Sequence, residues 1–207
     1  MEKKRGRIVA FTIGAVLVFG VAVIGAVWVS NAAKARSQVE VLIGADAFSC
    51  ERPEDVTIFE YELGSSEEIK YPVPALKLND GLACTFSFSI SNAGKTKVSL
   101  TGLGIAMMGE GNANGAHMPR LTLNLIERTV GGSADANFVL NQDLLPGDAV
   151  RISAVVERSP GCMSVGGSMG TVRTPEVTLS AYGLSGTVTP QGPAFAVVGT
   201  PDSTCDT

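Results

Sequence analysis

Two hydrophobic patterns divide this chain. From Ile8 to Val29 it reads IVAFTIGAVLVFGVAVIGAVWV, with no charged residue and with Thr12 the only clearly polar side chain. From Val39 onward, short apolar–polar alternations are broken by turn residues. At a rise of about 1.5 Å per residue the first run spans roughly 33 Å as a helix, enough to cross a bilayer's hydrocarbon core. The pattern therefore predicts a basic leader over residues 1–7, a single transmembrane helix over 8–30, a short stalk over 31–38 and a β-domain over 39–207.

In the β-domain, stretches rich in β-branched and aromatic residues are expected as strands. They are Val39–Ile43, Val56–Tyr61, Tyr71–Leu78, Cys84–Ser91, Lys97–Met107, Leu121–Glu127, Ala136–Leu140, Ala149–Glu157, Pro175–Tyr182 and Ala194–Val198. Asn79-Asp80-Gly81, Asn92-Ala93-Gly94, Gly131-Gly132 and Pro146-Gly147 supply turns between them. The clearest strand starts at Cys84: Cys84, Phe86, Phe88 and Ile90 share one face, and Thr85, Ser87, Ser89 and Ser91 the other. The next segment, Lys97–Met107, is expected to close a hairpin with it. Val98 and Leu100 then have opposite parity to Leu103, Ile105 and Met107, so a bulge is expected near Thr101-Gly102. Pro72 and Pro74 should confine their strand to a sheet edge.

Charge sets the orientation. Lys3, Lys4, Arg5 and Arg7 precede the apolar run, and only Lys34 and Arg36 follow it closely. The positive-inside rule places the N-terminus in the cytoplasm and the β-domain outside, with Trp28 at the outer interface. The alternative is a cleaved signal peptide, with Ala33-Lys34-Ala35 as a small-x-small cleavage site; the length of the apolar run favours retention. From Ser37 onward 10 Lys and Arg face 19 Asp and Glu, a net charge of −9. That balance argues against nucleic acid as a ligand of the outer domain. The four cysteines, Cys50, Cys84, Cys162 and Cys205, all lie in the exported part and are expected to form two disulfides.

The run FSFSISNAGKTKVSLTGLGI and the later LLPGDAVRISAVVE resemble membrane-anchored immunoglobulin-like domains on Gram-positive bacterial surfaces. The first is similar to their Asn-x-Gly hairpin, and the second to their Leu-x-Pro-Gly turn leading into a strand. The resemblance implies an all-β, immunoglobulin-like sandwich behind a single N-terminal transmembrane helix. In such a sandwich the strand from Cys84 and the strand Ala149–Glu157 are antiparallel neighbours. The resemblance thus implies a Cys84–Cys162 disulfide, leaving Cys50–Cys205 to tie the tail to the start of the domain.

Catalytic signatures are sparse. The sequence has no H-E-x-x-H or P-loop, and its single histidine, His117, lies in a Gly/Asn-rich stretch. Adjacent acids such as Glu54-Asp55 and Glu67-Glu68 read as a solvated face. Met107, Met108, His117 and Met118 flank one glycine-rich loop and carry thioether and imidazole groups, which are ligands for Cu(I). Against joint ligation, His117 and Met118 are adjacent and point to opposite faces of a strand. No cofactor is expected. The expected role is a non-enzymatic, membrane-anchored extracytoplasmic binding module, with protein partners at the cell surface or in a membrane complex. The alternatives are an exported copper-binding protein and an exported hydrolase.

Overall fold

The computed structural model describes residues 20–44, 46–63, 69–111, 115–130, 134–160, 168–189 and 192–203. Its strands, in chain order, are β1 (Val39–Leu42), β2 (Phe48–Cys50), β3 (Val56–Leu63), β4 (Ile69–Lys77), β5 (Ala83–Asn92), β6 (Val98–Ile105), β7 (Ala116–His117) and β8 (Arg120–Leu123). They continue with β9 (Ile126–Thr129), β10 (Ala136–Leu144), β11 (Ala149–Arg158), β12 (Met169–Arg173), β13 (Glu176–Ala181), β14 (Leu184–Val188) and β15 (Pro193–Val198).

The all-β expectation is met as a sandwich-like fold of three sheets. A seven-stranded sheet runs β1-β5-β11-β8-β9, with β2 also pairing β5 and β7 pairing β11. Two four-stranded sheets run β10-β6-β13-β14 and β12-β15-β4-β3. The β15–β4 pair is parallel, and the division into three sheets departs from a two-sheet immunoglobulin-like arrangement. All three sheets supply one hydrophobic core: Phe86, Ile90 and Ile152 from the first, Leu100, Phe138 and Leu179 from the second, Leu76, Phe195 and Val197 from the third. In β5 every second residue is buried, with Cys84, Phe86, Phe88 and Ile90 inward and Thr85, Ser87, Ser89 and Ser91 outward. β5 and β11 are antiparallel neighbours from Ala83↔Glu157 to Ser91↔Ala149.

The expected bulge is present. The registers of β10 and β13 against β6 both shift between Gly102 and Leu100, leaving Thr101 unpaired. Val98 and Leu100 on one side of it, and Leu103 and Ile105 on the other, are thereby all buried. The expected β5–β6 hairpin is overturned. β6 leaves the first sheet and pairs with β10 and β13 in the second. The loop that looked like a hairpin turn is an arch between layers, organised by Asn92, whose side-chain amide donates to the carbonyls of Thr96 and Leu144 while its Oδ1 accepts from the Gly94 amide. Such an arch lets β5 and β6 bury their apolar faces against each other, which strands side by side in one sheet cannot do.

The segment Leu121–Glu127 is not one strand but a hairpin of β8 and β9. Its turn residues Asn124 and Leu125 have φ of 50° and 64°. Asn suits that left-handed conformation, whereas Leu is strained there, with a cost of about 1–2 kcal/mol. Leu125 is also 98% exposed, so its side chain returns no packing energy. Leu125→Gly is therefore expected to raise stability by about 0.5–1 kcal/mol, the relief being partly offset by glycine's greater unfolded-state entropy. The urea midpoint measures this, and an unchanged or lower midpoint contradicts it.

The expected transmembrane helix is corrected. The helix seen occupies residues 20–36, and among the described residues no helix is long and apolar enough to cross a membrane. Ser30, Asn31, Lys34 and Arg36 follow Val29, and the run Ile8–Phe19 lies outside the described residues. Residues 31–38, expected as a stalk, continue the helix to residue 36, as the alanines among them favour. They are docked on the β-domain: Ala32 and Ala35 are buried, and Arg36 donates to the Leu184 carbonyl at 2.9 Å. Gly186 leaves room for that guanidinium, since a Cβ there would stand 2.7 Å from Arg36 Nε.

Candidate functional site

Among the described residues a polar cluster lies at the pole where β4 leads out and β5 begins. Asn79-Asp80-Gly81 makes the turn, with Gly81 at φ 69° and the Leu82 amide donating to the Asn79 carbonyl at 3.2 Å. Arg158, the last residue of β11, reaches this turn and donates to the Asp80 carboxylate and, at 2.5 Å, to the Asp202 carbonyl. Arg52 donates to the Asp80 carbonyl at 2.6 Å and to Asp55 Oδ2 at 3.0 Å. Asp55 is 1% exposed, and Asn79 donates to its other oxygen at 2.8 Å. A buried carboxylate needs such partners to offset its lost hydration.

Beside this network lies a cleft of about 510 Å³ lined by Gly81, Leu82, Ala83, Glu157, Arg158, Ser159 and Pro160. Arg158 is committed to Asp80, so it is not available as an anion clamp. Ser159 is 2% exposed, its amide donates to the Gly115 carbonyl at 2.9 Å, and its hydroxyl has no partner among the described residues. Glu157, on the outer face, is 3.9 Å from Arg120, which also reaches Glu127 at 3.8 Å. The cleft can accept a polar group, but its side chains form no nucleophile–base pair. Sequence reasoning did not find it, because Asp80, Arg158 and Asp202 are far apart in the chain and each is ordinary in its local context.

The methionine–histidine patch is brought together only in part. Met108 and Met118 are fully buried in the core, joined by the Met118 amide donating to the Met108 carbonyl at 2.8 Å. Met107 is 46% exposed in a turn at φ 59°. His117 pairs with Glu157 across β7–β11, placing it on the face opposite Met118, and its Nδ1 is buried with no partner among the described residues. Met108 and Met118 thus serve as core filling, and the strand parity keeps the imidazole away from Met118.

The disulfide pairing is also corrected. Cys50 is bonded to Cys84, which overturns both Cys84–Cys162 and Cys50–Cys205. Cys50 and Cys84 are cross-strand partners in the β2–β5 ladder. The expectation failed because β2 was not recognised: Phe48–Cys50 is a three-residue strand whose alternation is too short to read. Cys162 and Cys205 lie outside the described residues. The role foreseen for Cys205, tying the tail to the body, is filled by the 3-10 turn Pro201–Ser203, where Thr200 Oγ1 donates to the Leu78 carbonyl at 2.7 Å and Asp202 accepts from the Asp80 amide at 3.3 Å.

On the second sheet, Lys97 lies 2.6 Å from Asp143, and Ser99 donates to the same carboxylate at 2.6 Å. The Lys97 contact first, and then the Ser99 hydrogen bond, hold the Asp143 carboxyl below its ordinary range. The group is solvent-exposed, so this pair orders the surface rather than building a site.

No known family model and no curated protein matches the sequence. Among solved structures, a structural-genomics target designated SoR45 is 14% identical over 75% of this chain and 89% of its own, with a TM-score of 0.33. A CBM3a-L domain from scaffoldin cipA of Clostridium thermocellum is 13% identical over 78% of this chain and 94% of its own, with a TM-score of 0.32. A von Willebrand factor type A protein from Catenulispora acidiphila is 19% identical over 53% of this chain, which spans 24% of that protein, with a TM-score of 0.31. Likenesses at this level carry no inference about function.

Proposed function

We propose that this chain is a non-enzymatic binding module that works outside the cytoplasm as an accessory subunit of a membrane protein complex. The observation that carries the reading is the exposed apolar surface of the helix at residues 20–36. Val21, Val23, Ile24, Val27, Trp28 and Val29 are each between 46% and 71% exposed. A helix apolar on every side is stable where other apolar matter covers it, and a contiguous patch of this kind marks an interaction surface. A membrane protein partner has the apolar exterior that would cover it. The docking of Ala35 and Arg36 on the β-domain makes the helix continuous with that domain, so a partner meets both. The Cys50–Cys84 bond supports a location outside the reducing cytoplasm.

The test is affinity purification of the full chain after gentle detergent extraction, beside a Val23→Ser, Ile24→Ser, Val27→Ser variant. A stoichiometric partner held by the parent chain and lost from the variant, with the β-domain's urea midpoint unchanged, is the expected result. A chain that purifies alone, or a partner retained equally by the variant, overturns the reading.

A further inference from the structure

We propose that the outer edge of β3 is a strand-accepting site for an extended, Lys- or Arg-bearing segment of a partner protein. The sheet edges of this fold are guarded unequally. β1 and β9 are four residues each, β12 has a register shift between Val172 and Arg173, and β10 is broken between Val139 and Gln142. At β14 the helix end intervenes, with Arg36 on the Leu184 carbonyl. Short length, irregular register and a covering element are the devices that stop edge strands from pairing with other chains. Among the described residues β3 has none of them. It is eight residues long, has no proline or lysine, and pairs with β4 in unbroken register from Val56↔Leu76 to Leu63↔Ile69.

The geometry beyond β4 sharpens this. β15 pairs with β4 only at Ala75, Leu76 and Lys77. Over residues 58–63 and 69–74 the third sheet is therefore a two-stranded ribbon among the described residues, an arrangement with marginal stability in water. A third strand would complete it. On the β4 side, Pro72 and Pro74 remove two of the donors that an incoming strand would need. The β3 side retains a full row of backbone donors and acceptors. These prolines also explain why the expectation of an edge strand at β4 holds only over residues 69–74: β15 pairs where the prolines end.

Charge identifies the occupant. From Pro53 to Leu63 the sequence has Glu54, Asp55, Glu60 and Glu62 and no Lys or Arg. Asp55 is taken by Arg52 and Asn79, whereas Glu54 and Glu60 are exposed. A second copy of β3 would bring the same acids against them, so self-pairing is disfavoured and a basic segment favoured. Ile58, 60% exposed, offers an apolar contact on the same edge. Main-chain hydrogen bonds would supply affinity, and the side chains would choose the sequence.

The probe is a synthetic peptide matched in length to β3 that alternates valine and lysine, with a valine–glutamate counterpart. The full chain is titrated with each, and amide hydrogen exchange locates the contact. The valine–lysine peptide is expected to bind and to protect amides in 56–63, with the glutamate peptide at least about tenfold weaker. Glu60→Lys, a change at an exposed side chain that leaves the fold intact, should invert that preference. Ile58→Pro should abolish binding while distant amides in β5 and β11 keep their protection. Equal binding of the two peptides, protection at another edge, self-association through β3 without peptide uptake, or no binding would each overturn the proposal. None of these readouts involves the apolar helix, so the outcome is independent of the proposed subunit role.

Discussion

Phe86→Ala is expected to destabilise the domain by about 3–5 kcal/mol, the range for removing a buried aromatic ring from a packed core. Phe86 is fully buried, and its ring centroid lies 4.9 Å from Phe48, 5.2 Å from Phe88 and 5.2 Å from Phe195. Phe195 belongs to β15 of the third sheet, whereas the other three belong to the first. The ring therefore joins two sheets, and the cavity left by alanine opens at that seam, where neither backbone can close in without disturbing its own ladder. A loss of this size is a large fraction of the roughly 5–15 kcal/mol that holds a typical domain together. Urea denaturation measures it. A loss below about 1 kcal/mol would mean that the aromatic cluster collapses freely and that the two sheets are not held through it.

Replacing both Cys50 and Cys84 by alanine is expected to cost about 3–4 kcal/mol, from the loop-closure entropy of a sequence separation of 34. The comparison is between the double variant and the parent chain under oxidising conditions, so that other cysteines are not disturbed. The local reason for so direct an effect is that β2 has only three residues. So short a strand is held by few ladder bonds, and the covalent link to β5 does much of the holding. Non-reducing peptide mapping should recover a Cys50–Cys84 peptide, and a Cys84–Cys162 peptide would refute the pairing seen in the fold. A cost near zero in the double variant would mean that β2 stays docked by Phe48 alone.

Strong period-two alternation was legible without the structure. β5 has the inward set that its sequence announces, and β11 and β13 alternate in the same way, because the backbone pleat alone decides which residues share a face. The bulge at Thr101 was legible for the same reason: a switch in apolar parity within one strand has few other physical solutions. The short strands β2, β7 and β12 and the β8–β9 turn were not legible. Two to five residues carry too little periodicity, and nothing in Asn124-Leu125 advertises a left-handed turn. The polar cluster around Asp80 and Arg158 was hidden by sequence distance. The methionine–histidine patch was visible as composition, yet its two buried members belong to the core.

What the amino-acid order determined by itself is the all-β character, the inward and outward faces of the long strands and the apolar nature of the N-terminal segment. These follow from local rules, each enforced by a few neighbouring residues. What only the tertiary structure decided is which strand joins which sheet, which cysteine meets Cys84, where the last turn of the helix docks, and which edge is left open. Those outcomes depend on competition between distant surfaces for the same apolar partners, and Phe195 reaching across to Phe86, or Arg36 reaching the Leu184 carbonyl, has no counterpart in any local stretch of the chain.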